Sequence, residues 1–133
     1  MEKIIFNTRD ELVCVDVDMV AAVIADGNYS RLFYIDRKEI NLTFGISSVE
    51  KELKGAKSSF SRFVRLGRSL IINHSYLGRI DLLRQQLTLT DFKGHELRIN
   101  MSRNLIRTYK KAVMVYYNSQ RKLLLSAKTF FLI

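Results

Sequence analysis

The sequence predicts a mainly β domain with two short helices. Short runs of β-branched and aromatic residues fill its first hundred positions, with turn-forming residues between them. Only two segments place apolar residues at helical spacing. A length of 133 residues is enough for one domain with its own core. A helix-turn-helix needs three helices close together, so this pattern argues against one.

Ten runs are predicted as strands, and the residues between them favour hairpins. Asp26-Gly27-Asn28 tolerates positive φ, Asp36-Arg37-Lys38 forms a polar tip, and Lys93-Gly94 closes a late hairpin. The predicted strands are residues 3–7, 11–17, 20–25, 28–36, 39–44, 63–66, 70–73, 77–83, 86–91 and 96–100.

The first predicted helix begins at a capping box, Ser47-Ser48-Val49-Glu50. In this motif the Ser47 hydroxyl bonds the Glu50 amide, and the Glu50 carboxylate bonds back to the cap. Gly55 is a suitable end. The apolar face of this helix consists of Ile46, Val49 and Leu53.

The second predicted helix begins after Ser102 as N-cap and extends to about Tyr117. Its apolar residues at helical spacing are Leu105, Tyr109, Ala112, Val113 and Tyr116. We therefore expect the domain to cover residues 1–117. Residues 118–133 form a C-terminal extension that could add a strand, pack on the domain over a sheet edge, or meet another subunit.

The charge of the chain points to an anionic partner. Lys and Arg number 22 against 13 Asp and Glu, which gives a net charge of +9. A balance of this size favours nucleic acid or an anionic membrane surface as the partner. No run approaches the roughly 20 apolar residues of a spanning helix, and the apolar tail at 123–133 is interrupted by Lys128. The N-terminus lacks a signal peptide, so we expect a cytoplasmic protein.

Cysteine, histidine and acidic residues offer no catalytic or metal site. Cys14 is the only cysteine and lies in an apolar run, which predicts a buried, inert thiol. His74 and His95 have no partner at metal-ligand spacing and are expected to be exposed. Asp16 and Asp18 are expected to face solvent. No nucleophile motif or phosphate loop accompanies them, so they are not expected to act as catalytic carboxylates. We expect no enzyme activity, no cofactor and no metal.

Three segments, in this order, resemble the LytTR family, the DNA-binding domain of many bacterial response regulators. The central one resembles the family signature of an aromatic residue, an Arg, a basic-Ser pair, an aliphatic run and Asn. The segments are Ala25-Asp26-Gly27-Asn28-Tyr29, Phe63-Val64-Arg65-Leu66-Gly67-Arg68-Ser69-Leu70-Ile71-Ile72-Asn73, and Asn100-Met101-Ser102-Arg103-Asn104-Leu105.

The resemblance implies an elongated stack of small antiparallel β-sheets with one or two short α-helices. It also implies sequence-specific binding of double-stranded DNA in bacterial transcription regulation, within two-component systems. In this family, loops enter successive major grooves of a bent duplex. Promoter direct repeats and a homodimer on DNA follow as expected partners, with no small-molecule substrate and no membrane.

The resemblance places DNA contacts in three segments. The first follows the Gly-Asn-Tyr turn, the second precedes the signature Ser, and the third follows the late Ser. Gly67 stands where the family commonly has a histidine. The residues carried over are Asn28, Tyr29, Ser30 and Arg31; Gly67, Arg68 and Ser69; and Ser102, Arg103 and Asn104.

The chemistry of these residues agrees with that assignment. Arg68 and Arg103 carry planar forks suited to guanine O6 and N7 or to phosphate. Ser69, Ser102 and Asn28 can donate hydrogen bonds to phosphate oxygens. For Arg65, pairing with a carboxylate and contact with phosphate remain equally open. The pairs Lys110-Lys111 and Arg121-Lys122 are expected on a solvated face, with contact to flanking DNA as the alternative.

Two other functions remain open at this stage. The first is a protein- or membrane-surface interaction module that uses the basic surface and the apolar C-terminal tail. The second is a single-strand or RNA-binding β-domain, in which Tyr29, Phe33 and Tyr34 would stack on bases.

Overall fold

A computed structural model describes residues 2–56 and 62–132, with side chains as far as Gln120. All ten predicted strands are present, and their ends differ from the predicted ones by at most two residues. The elements are β1 (Lys3–Asn7), β2 (Leu12–Asp16), β3 (Val20–Asp26), β4 (Tyr29–Tyr34), β5 (Glu39–Leu42), α1 (Ile46–Gly55), β6 (Phe63–Leu66), β7 (Leu70–Asn73), β8 (Leu77–Asp81), β9 (Gln86–Thr90), β10 (Glu96–Asn100) and α2 (Arg103–Leu132).

A five-stranded antiparallel sheet in the order β5-β4-β3-β7-β6 occupies the middle of the molecule. Two of its inner strands, β3 and β7, are buried on both faces: Val20, Ala22 and Val23 are at most 1% exposed, and Ile71 and Ile72 are fully buried. A sheet that is apolar on both faces must be covered on both sides.

The β1–β2 hairpin and α1 cover the first face. Ile4, Phe6 and Val15 of the hairpin join one apolar core with Val23 and Leu32 of the sheet. The predicted apolar face of α1 also enters this core, since Ile46, Val49 and Leu53 are all buried there.

The three-stranded antiparallel sheet β10-β9-β8 and the first half of α2 cover the second face. Leu87, Leu89 and Ile106 are fully buried there against Ala22 and Ile72. The result is a stack of three small antiparallel sheets with two helices, which confirms the predicted fold class.

The predicted capping box of α1 is wrong. The helix begins at Ile46 with Gly45 as N-cap, two positions before the predicted cap Ser47, and no side-chain cap bond forms. This start buries Ile46 and leaves Ser47 inside the first turn, where it cannot cap. The Glu50 carboxylate forms ion pairs with Arg65 and Lys54 instead, at 3.1 and 3.0 Å.

Helix α2 starts as predicted but does not end near Tyr117. The Leu105 amide donates to the Ser102 hydroxyl at 3.4 Å, which caps the helix. The helix then continues to Leu132, because no Gly or Pro interrupts residues 103–132. Among residues 103–120, the part of the helix whose side chains are described, the last buried position is Val113, and residues 114–120 are all exposed. No helix in the described ranges is both long and apolar enough to cross a membrane.

The predicted burial of Cys14 is also wrong: this thiol is exposed. Successive side chains of a strand point to opposite faces. In β2, Val15 points into the core, so Leu12 and Cys14 lie on the outer face of the hairpin. A two-stranded hairpin with one covered face exposes half of an apolar run.

His95 is exposed as predicted and pairs with Asp91, but His74 is not exposed. His74 is half-buried between β7 and α2, and its Nδ1 lies 2.6 Å from the Tyr109 hydroxyl. The Tyr109 and Tyr116 rings both meet the imidazole edge to face. Burial lowers the pKa of His74 below its ordinary value of 6.5, so the neutral form is favoured in the folded protein.

This contact predicts a loss of stability in mild acid. The unfolded chain protonates His74 near pH 6.5, while the folded protein resists protonation. The unfolded state therefore binds more protons as the pH falls, and the free energy of unfolding decreases. We expect the Tm to fall between pH 7.5 and 5.5, and His74→Phe to reduce that fall in thermal melts followed by circular dichroism. His95→Phe is the comparison variant and should not reduce the fall, because it removes an imidazole that pairs with Asp91 rather than one that burial keeps neutral. An unchanged fall in His74→Phe would contradict the assignment.

Candidate nucleic-acid interface

Two of the three segments that resemble the family lie side by side at one end of the five-stranded sheet. Strand β3 reaches its turn at residues 27–28, and β7 leaves its turn at 67–69. Because β3 and β7 are antiparallel, with Ile24 opposite Leu70, both turns fall at the same end. The Ala25 amide donates to the Ser69 carbonyl at 2.9 Å and joins them directly.

The third segment, at the start of α2, adjoins the second. Gly67 has a φ of +71°, a left-handed conformation that favours glycine. A Cβ built on Gly67 would lie 3.5 Å from Leu105 Cδ2, so this turn packs against the first turn of α2. Residues 26–31, 67–69 and 102–104 therefore form one continuous group, here named the turn end.

The turn end presents most of its predicted contact residues to solvent. Tyr29 is 57% exposed. The other predicted residues that are exposed are Asn28, Gly67, Arg68, Ser69, Ser102, Arg103 and Asn104.

Ser30 is the exception, because its side chain is turned away from solvent. The residue is 1% exposed, and its Oγ donates to the Phe44 carbonyl at 2.7 Å. The alternation of β4 turns Ser30 inward and its neighbours Tyr29 and Arg31 outward. The Ser30 hydroxyl therefore holds the adjacent loop and offers nothing to a ligand.

Arg31 is half-exposed, but its charge is balanced. Its Nε and Nη2 donate to the two carboxylate oxygens of Glu39 at 2.5 and 3.3 Å, and its guanidinium stacks over the Phe33 ring. The hydrogen bond with Glu39 raises the pKa of Arg31 and lowers that of Glu39. Arg31 adds little net positive charge to the turn end.

Arg68 and Arg103 differ from Arg31 in having no such partner. No carboxylate of the described residues forms an ion pair with either guanidinium, and both residues are exposed. Arg103 also begins α2, where free backbone amides favour an anion. The turn end thus carries two unbalanced cationic forks beside hydroxyl and amide donors.

Arg65 is the residue of this site whose role the sequence left open, and the structure pairs it with a carboxylate. Its Nη1 binds Glu50 Oε1 at 3.1 Å. Its Nε and Nη2 donate to the carbonyls of Gly67 and Arg68 at 3.0 and 2.8 Å. One side chain thus ties α1 to the turn that carries Arg68.

The turn between β8 and β9 was missed, because residues 77–83 were predicted as one strand. The strand ends at Asp81, and Leu83 at the tip of the turn is 97% exposed. The Gln85 carbonyl accepts from the Met101 amide at 2.9 Å, so this turn adjoins the start of α2. Its apolar sequence, Leu82-Leu83, gave no turn signal.

Within residues 2–56 and 62–132, no three His, Cys, Asp or Glu side chains are grouped as metal ligands. Among the carboxylates of the described residues, Asp91 has a strongly shifted pKa, lowered to about 2 mainly by its hydrogen bond with His95 in an exposed turn.

Comparison with known proteins agrees with this geometry. The LytTr DNA-binding domain profile matches residues 10–114. The structure is similar to the solved LytTr DNA-binding domain of a methyl-accepting/DNA response regulator from Bacillus cereus, with a TM-score of 0.54 and 16% sequence identity. That match covers 85% of this chain and 97% of the Bacillus cereus chain. No curated protein sequence matches significantly. The family match spans most of the chain and includes all three segments of the turn end, and the chain therefore belongs to the LytTr DNA-binding domain family.

Proposed function

We propose that this domain binds double-stranded DNA in a sequence-specific manner, with the turn end facing the duplex. Its family is one of DNA-binding domains in transcription regulation rather than of enzymes. The observation that carries the finer proposal is the grouping of three segments, distant in sequence, around the unpaired side chains of Arg68 and Arg103.

The two arginines would read bases, while their neighbours hold the backbone. A guanidinium fork can donate two parallel hydrogen bonds to O6 and N7 of guanine. Ser69, Ser102 and Asn28, together with the amides at the start of α2, would donate to phosphates and fix the position of the protein. Turns on separate elements would enter successive major grooves, and the duplex would bend to meet them.

A single turn end covers one short site, so two copies on promoter direct repeats would give a longer one. We therefore propose a homodimer on DNA in bacterial two-component regulation.

The rival proposal is a module that binds a protein or a membrane surface through its basic surface and the tail at 118–133. Binding to anionic vesicles that exceeds binding to duplex DNA would favour that rival.

The first test is selection of bound duplexes from a random pool, followed by affinity measurements at increasing salt. We expect one enriched sequence motif and a log–log slope of about −0.9 for each phosphate neutralised. Single strands of equal length should compete poorly. A flat salt response, or an unenriched pool, would contradict the proposal.

The second test separates the roles of Arg68 and Arg103. Arg68→Ala and Arg103→Ala should each weaken specific binding by about 1–3 kcal/mol, because each removes a bidentate base contact. Each should relax the preference at a different part of the selected site. Arg79→Ala, an exposed arginine on the three-stranded sheet, is the matched control and should retain full affinity. Full affinity in both of the first two variants would place the DNA surface elsewhere.

The third test concerns Arg65 as a positioning residue. Arg65→Gln removes the link between Glu50 and the turn at 67–69, and hydrogen bonds from a charged group contribute roughly 1.5–3 kcal/mol. We expect specific affinity to fall while the salt slope stays unchanged, because Arg65 itself touches no phosphate. Amide hydrogen exchange at residues 67–69 should rise. Arg65→Lys should not restore affinity, since one ammonium cannot hold the same fork. A reduced salt slope would instead mean direct contact with DNA.

A further inference from the structure

The outward face of the three-stranded sheet is a concave groove of about 780 Å³, separate from the turn end. Its lining includes four arginines, together with the acidic residues Asp81 and Glu96. The residues on which the argument depends are Arg37, Arg79, Arg84, Thr88, Phe92 and Arg98.

The floor of the groove is made of small side chains. Thr88 of β9, the central strand, lies opposite Arg79 of β8 and Arg98 of β10, so the two arginines form walls on either side of a threonine. A bulge between Leu77 and Arg79 leaves Gly78 in β8. A Cβ at Gly78 would lie only 2.6 Å from Thr90 Cγ2, so the strands approach closely there only because residue 78 is glycine.

The arginines of the groove have hydrogen-bond donors that no strong ion pair occupies. Within the part of the chain that the structure describes, neither Arg37 nor Arg79 forms an ion pair. Arg98 lies 3.6 Å from Glu96 and Arg84 lies 4.0 Å from Asp81, and these arginine side chains are 66% and 76% exposed. Exposed pairs of this kind contribute little to stability, so Arg84 and Arg98 can leave these carboxylates and bind a stronger partner.

The groove extends away from the proposed DNA surface. Its Arg84 end adjoins the start of α2 through the β8–β9 turn. Its other end is formed by Phe92 in the β9–β10 turn and by Arg37 in the β4–β5 turn, and both turns lie at the opposite ends of their strands from the turn end. A duplex on the turn end would leave Arg37 and Phe92 free.

The width of the groove limits the backbone conformation of a partner that can bind in it. Three strands spaced about 4.8 Å apart make a face roughly 10 Å wide, and the five residues of β9 span about 17 Å. That space is narrow for an α-helix, which is about 10–12 Å across with its side chains. It fits a single extended chain of about five residues.

We propose that this groove binds an extended acidic segment of a partner protein. Alternate side chains of an extended chain point the same way, so one carboxylate would meet Arg79 and Arg98 over the threonine floor. Carboxylates two positions away on either side would extend towards Arg84 at one end of the groove and Arg37 at the other. Arg–carboxylate pairs are often bidentate, which gives both strength and direction. Phe92, which is 76% exposed, would pack against an apolar residue at the end of that segment. This inference is independent of the proposed DNA binding.

The test is fluorescence anisotropy with the full chain and a labelled peptide of about ten residues, in which glutamate alternates with serine and a leucine ends the chain. The same peptide with glutamine in place of glutamate is the control probe. We expect binding of the glutamate peptide only. The double variant Arg79→Gln and Arg98→Gln should weaken it at least about tenfold.

The double variant Arg68→Gln and Arg103→Gln removes the same charge from the turn end and should bind the peptide as the wild type does. Thr88→Glu, which places a carboxylate on the floor of the groove, should also abolish peptide binding. It provides the same test if the Arg79→Gln and Arg98→Gln double variant fails to fold. Equal binding of the two peptides, or unchanged binding in the groove variants, would overturn the proposal. So would a groove variant that loses affinity for duplex DNA as strongly as the turn-end variant, because the groove would then belong to the nucleic-acid surface.

Discussion

Burial of β3 and β7 on both faces is the constraint on which the rest of the structure depends. Val20, Val23, Ile71 and Ile72 exclude water from both sides of the central sheet, and each side therefore needs its own apolar cover. The hairpin with α1 supplies one cover, and the three-stranded sheet with α2 supplies the other. One polar side chain inside this core, Asn73, is satisfied: its amide donates to the Val20 carbonyl at 2.9 Å, and its Oδ1 accepts from the Ser75 amide at 3.0 Å.

The same strand pairing creates the proposed DNA surface. Once β3 pairs with both β4 and β7, the turns at 27–28 and 67–69 must emerge together. Packing of Leu105 against Gly67 then brings in the start of α2. Arg65 adds hydrogen bonds to two carbonyls of the turn that carries Arg68, so an exposed loop is held by a half-buried guanidinium. A binding surface built in this way is tied to the sheet beneath it by hydrogen bonds, although its contact residues lie on turns.

The net charge of +9 is divided among arginines with different roles. Arg31 and Arg65 form close pairs with Glu39 and Glu50 and serve the fold. Arg68 and Arg103 at the turn end, and Arg37 and Arg79 in the groove, have no such pairs among the described residues. Unpaired cations carry most of the attraction for a polyanion. The net positive charge, which the composition gives as one number, is therefore present on at least two separate surfaces, the turn end and the groove.

The sequence by itself determined the family, the ten strands, the start of each helix to within two residues, and the three segments that form the turn end. These features depend on local signals: period-two alternation, turn residues, caps and short motifs. Only the tertiary structure decided that Ser30 is buried, that Cys14 is exposed, that His74 packs against Tyr109, and that Glu50 pairs with Arg65 rather than capping its helix. Alternation shows that a strand has two different faces, but which face is covered depends on elements distant in sequence. For the same reason, the groove around Arg79 and Arg98 exists only once β8, β9 and β10 have paired in register.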